Sequence, residues 1–92
     1  MDVIDPLVEF ISEEFEFCSV IKSQAWRLVL SFGNSAHRFN KYVFWVGNGL
    51  VVRGRFLSDD FGNLDFYCNL HDPEFFVKFG ERIKSLVSVL KI

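Results

Sequence analysis

Apolar residues repeat with a helical period at both ends of this chain and with a period of two between them. Near the N-terminus, Leu7, Val8, Phe10, Ile11 and Phe15 recur on one helical face, with Glu9, Glu13, Glu14 and Glu16 on the other. Asp5-Pro6 precedes them. An Asp at a helix start caps free backbone N–H groups, and Pro fits the first turn, where its missing N–H costs nothing. The spacing predicts a helix over residues 5–16, its early glutamates favoured by the positive end of the helix dipole.

The same device returns at Asp72-Pro73-Glu74. Phe75, Phe76, Phe79, Ile83, Leu86, Val87 and Leu90 form the apolar stripe of a second helix, while Lys78, Glu81, Arg82, Lys84 and Lys91 fill most of the remainder. Gly80 lowers helix propensity by about 1 kcal/mol relative to Ala. Its place among Phe76, Phe79 and Ile83 predicts a close approach to a sheet.

Between the helices the chain alternates and is rich in strand formers. The pattern predicts strands at Trp26–Phe32, Phe39–Val46, Leu50–Leu57 and Leu64–Leu70, with Phe17–Ile21 a candidate edge strand. Gly33-Asn34-Ser35 and Ser58–Asn63 are turns, and Gly47-Asn48-Gly49 is a hairpin signal because Asn and Gly tolerate positive φ. Short turns between successive strands predict an antiparallel meander. Both helices have an apolar stripe to bury, and one face of the sheet serves both. The expected fold is a single two-layer α+β domain over residues 1–92: N-terminal helix, a meander of four strands with a candidate fifth, and C-terminal helix.

Two layers leave one sheet face uncovered, and alternation indicates what it carries. In the first strand Trp26, Leu28, Leu30 and Phe32 are expected to point inward, leaving Arg27, Val29 and Ser31 outward. In the third, Val51, Arg53, Arg55 and Leu57 are expected outward, and in the last Asp65, Tyr67 and Asn69. The second strand depends on the hairpin register, since a slip of one residue exchanges its faces. A two-residue Asn48-Gly49 loop buries Trp45 and places Phe44 and Tyr42 beside Arg53 and Arg55 on the open face. A three-residue loop buries Phe44 and Tyr42 and exposes Trp45, Val43 and Lys41. The first register is the expectation adopted, which makes Arg27, Tyr42, Phe44, Arg53, Arg55 and Tyr67 the candidate partner-binding residues.

Composition narrows the functional classes. The net charge of −2 disfavours a dedicated duplex-DNA binder, which ordinarily carries a basic excess. Cys18 and Cys68 lie far apart, without the close ligand pairing of a metal site, and read as reduced, buried small hydrophobes. The acidic opening Met1–Asp5 lacks the cationic and apolar stretches of a secretory signal, and no apolar run approaches the ~20 residues of a membrane span. A soluble, cytoplasmic protein without membrane contact is expected.

Catalytic chemistry finds no support in the motifs. His37 and His71 lack convergent partners. Cys68 and His71 are three apart, but Cys68 is expected to face the core and His71 to lie beyond the strand end. Asp59 and Asp60 precede Gly62 without the run of oxygen ligands a calcium loop needs. No phosphate loop or nucleophile motif is present. The expectation is a non-enzyme, without cofactor or metal, that binds another protein or a second copy of itself through arginines interleaved with aromatic rings. Single-stranded nucleic-acid binding on the same sheet face is the alternative, opposed by the net charge and by the lack of an RNA-recognition ring motif.

Overall fold

A computed structural model describes residues 3–15, 18–32, 41–57 and 65–89. Helix α1 (Asp5–Glu14) leads into strands β1 (Cys18–Gln24), β2 (Arg27–Phe32), β3 (Lys41–Val46), β4 (Val51–Phe56) and β5 (Phe66–Asn69), and helix α2 (Phe75–Val89) follows. The strands form one open antiparallel sheet in the order β1-β2-β3-β4-β5. The candidate edge strand is therefore a full member of the sheet, although Phe17 itself lies outside the described residues, as do the expected turns at Gly33–Ser35 and Ser58–Asn63.

A single core joins Leu7 and Ile11 of α1, Phe75, Phe79, Ile83 and Leu86 of α2, and the inward row of every strand from β2 to β5. Both helices thus pack on one face, as the apolar stripes predict. Phe79 is the hub of this layer. Its ring lies 4.8 Å from that of Phe44, 5.3 Å from Phe75, 5.8 Å from Phe10 and 6.0 Å from Phe66. Such ring pairs add to the burial of apolar area.

The two Asp-Pro starts behave differently. Asp72 caps as expected: one carboxylate oxygen accepts the Glu74 backbone N–H at 2.9 Å, and the other accepts Lys78 Nζ at 2.8 Å. The Lys78 hydrogen bond first, and the Glu74 N–H second, hold the Asp72 carboxyl below its usual range. Asp5 makes no cap; Ile4 occupies that position without a side-chain hydrogen bond. The Asp5 carboxylate instead pairs with Lys22 of β1 at 3.1 Å. The expected role of Gly80 also changes. A Cβ there would stand 3.3 Å from Phe10 Cζ, so the glycine admits the ring of α1 and not the sheet.

The adopted hairpin register is overturned. Gly47 N–H donates to the Val51 carbonyl at 2.9 Å, closing a three-residue loop, Asn48-Gly49-Leu50. Val46 pairs with Val52, Trp45 with Arg53, Phe44 with Gly54 and Tyr42 with Phe56. Tyr42 and Phe44 are fully buried, and Trp45 turns outward. Two features account for this choice. The rejected register would bury Lys41 in the inward row, and Gly54 leaves room for two rings: a Cβ there would lie 2.8 Å from both Phe44 and Tyr42. The loop holds Gly49 at φ 73° and Leu50 at φ 58°. The left-handed conformation costs Leu50 about 1–2 kcal/mol, which core burial of the two rings outweighs.

Candidate functional site

The uncovered face is built from cross-strand rows. Arg27, Trp45, Arg53 and Tyr67 are successive partners across β2, β3, β4 and β5. Beside them runs a second row, Ile21, Val29, Val43 and Arg55, across β1 to β4. Directly opposed residues on a sheet stand about 4.5–5.5 Å apart, so these side chains form one continuous surface. Four of the expected site residues, Arg27, Arg53, Arg55 and Tyr67, lie on it. The other two, Tyr42 and Phe44, do not, because the observed register turns them into the core.

The face gains two residues that alternation alone misplaces or leaves out. Trp45 enters with the three-residue loop. Trp26, expected to point inward, is 46% exposed. Because β1 continues to Gln24 and Gln24 pairs with Arg27, Ala25 and Trp26 form the turn between β1 and β2, where strand alternation no longer applies. A register shift between Lys22 and Gln24 accompanies the turn. Recognition that Phe17–Ile21 continues to Gln24 is the signal that would have placed Trp26.

Trp26, Arg27, Val43, Trp45 and Arg55 surround a shallow depression of about 240 Å³. Val43 forms its floor and is only 2% exposed despite pointing away from the core. Next to it, the Arg53 guanidinium lies 5.2 Å from the centre of the Tyr67 ring, a cation–π arrangement. It also rests against the hairpin: a Cβ on Gly47 would stand 2.0 Å from Arg53 Nη1. Gly47 therefore supplies the space in which Arg53 lies.

Charge is distributed unevenly between the strands and helix α1. Lys22, Arg27, Lys41, Arg53 and Arg55 sit on the strands, and no Asp or Glu does. Helix α1 has the opposite character, with Asp5, Glu9, Glu13 and Glu14 and no Lys or Arg. The total of −2 conceals a basic sheet joined to an acidic helix.

The other polar groups serve the fold. Tyr42 donates its hydroxyl proton to Asp65 Oδ2 at 2.7 Å, and Arg82 of α2 donates to the same oxygen. Burial first, and the Asp65 carboxylate second, push the Tyr42 phenol well above its ordinary range. Both cysteines are free, and burial pushes both thiols up, so they are protonated near neutral pH. Cys68 lies near Asp72 (3.7 Å), whose carboxylate raises the thiol further. His71 donates its backbone N–H to Asn69 Oδ1 at 2.8 Å. His37, Asp59 and Asp60 lie outside the described residues. Among the described residues, no group of three His, Cys, Asp or Glu side chains is placed to hold a metal ion, and no helix is long and apolar enough to cross a membrane.

No family model, curated protein or solved structure gives a significant match to this chain.

Proposed function

We propose that this protein is a small, non-enzymatic interaction module that docks another protein on the open face of its sheet. The observation that carries the reading is the row Arg27–Trp45–Arg53–Tyr67, in which cationic and aromatic side chains alternate across four strands. Arg, Trp and Tyr are the side chains most enriched at binding hot spots, because each offers a large contact area together with a polar group. The free thiols and the high phenol offer no activated group on that face.

Replacement of Arg53 and Arg55 by Glu reverses charge at two solvent-facing positions and leaves the inward row of β4 intact. The double variant is expected to keep the wild-type melting temperature and to lose a protein that wild type captures, identified by mass spectrometry and re-bound in purified form. Undiminished binding of that purified partner would rule out the open face as the docking site.

The acid-free sheet also favours a second reading, single-stranded nucleic-acid binding on the same face. That reading requires affinity for short single strands that falls steeply as salt rises; salt-insensitive binding excludes it.

A further inference from the structure

We infer that the segment docked on the open face is an acidic stretch of polypeptide that inserts one apolar side chain between Trp26 and Trp45. The inference rests on the docking reading above and specifies its ligand. Two observations carry it together. The strands hold only positive charge, with Arg27 and Arg55 lining the depression and Arg53 next in the row. Guanidinium groups fork hydrogen bonds to carboxylates, so the complementary ligand brings Asp or Glu to both sides of the pocket. Between those arginines the depression presents the apolar side chains of Val43, Trp26 and Trp45. It has room for a single aliphatic or aromatic side chain, the form in which a binding anchor is ordinarily buried.

The same surface favours a peptide over a nucleic acid. Arg53 already lies over the Tyr67 ring and occupies the position in which a base would stack on it. The row that leads into the pocket is aliphatic, Ile21–Val29–Val43, with Ile21 58% exposed. Aliphatic side chains match apolar peptide residues, and this row gives a base no ring on which to stack.

Trp26 and Trp45 are the only tryptophans in the chain, so indole emission reports directly on the pocket. The probes are a short peptide of alternating Glu and Ser with one central Leu, the same peptide with that Leu replaced by Ser, its Lys/Ser counterpart with the Leu retained, and oligo-dT of similar length. The Glu/Ser/Leu peptide is expected to blue-shift the emission saturably. Loss of the Leu should weaken binding by at least about tenfold, and the basic peptide should produce no shift. Arg27→Glu/Arg55→Glu should abolish the response while leaving the melting temperature unchanged. The comparison of acidic with basic peptide uses wild-type protein and does not depend on the folding of any variant.

Equal binding with and without the Leu would reduce the site to unspecific charge attraction and overturn the inference. Tighter binding of oligo-dT than of the Glu/Ser/Leu peptide would overturn it in favour of a nucleic acid. If Arg53→Glu/Arg55→Glu abolishes binding of the captured protein and no acidic peptide shifts the emission, the docking reading survives and the acidic-anchor inference fails. If that variant still binds the captured protein, both fall.

Discussion

The two faces of this sheet use the same kinds of side chain for opposite purposes. On the inner face Phe44 is fully buried, ringed by Tyr42 at 4.8 Å, Phe66 at 5.6 Å and Phe79 at 4.8 Å. One residue along the strand, Trp45 faces outward between Arg27 and Arg53. Helices exclude water from the first ring, and its contacts become stability. No described element covers the second, and its arginine neighbours keep that face hydrated and charged. A ring on a sheet contributes to folding or to recognition according to which face it occupies, and here a single register step decides that.

The contrast is sharpest in truncations. Phe79→Ala removes the hub ring of the covered face and should cost about 3–5 kcal/mol, whereas Trp45→Ala on the open face should cost about 1 kcal/mol or less. Urea midpoints at constant slope measure both; equal losses would mean that the outer face is part of the core.

Tyr42→Phe keeps the ring and removes only its hydrogen bond to the Asp65 carboxylate, a loss of about 1.5–3 kcal/mol. The raised phenol also sets a pH signature. Folding holds Tyr42 protonated, so its contribution is complete below the ordinary tyrosine value of about 10 and is lost as pH rises above it. The wild type should therefore weaken between about pH 9 and 11 more than Tyr42→Phe does. Parallel stability curves for the two proteins would show that burial does not hold the phenol protonated.

Two glycines bring the comparison to the scale of one methyl group. Gly54→Ala places a Cβ 2.8 Å from two packed rings and should cost about 1–3 kcal/mol by overpacking. Gly47→Ala meets only the mobile end of Arg53 and should change stability by no more than about 0.5 kcal/mol. It should nevertheless displace the guanidinium and weaken partner binding. Melting and binding measured on both variants separate the two effects; a large stability loss at Gly47 would place Arg53 among the residues that hold the hairpin together.

Much of the fold was legible because its signals are local and repeated. The stripe Phe75, Phe79, Ile83, Leu86 recurs over about three helical turns, and no other burial of it agrees with the helical period. Asp72-Pro73 was also read correctly, since a cap involves residues only two apart. Asp5-Pro6 has the same form, yet its carboxylate goes to Lys22, which the chain brings alongside only when β1 folds back against α1. The site was legible in part. Arg27, Arg53, Arg55 and Tyr67 follow from strand alternation, whereas Tyr42, Phe44, Trp45 and Trp26 depend on where strands begin and how they pair.

By itself, then, the sequence determined the helices, the meander, the two layers and the presence of arginines on the open face, since periodicity and turn residues act over a few positions. Tertiary structure alone decided which rings accompany those arginines. That choice compares two whole registers, and what separates them is the space above Gly54, the cost of burying Lys41 and the cavity that Phe79 fills from a distant helix. Those are energies of packing between segments far apart in the chain, and no local pattern carries them.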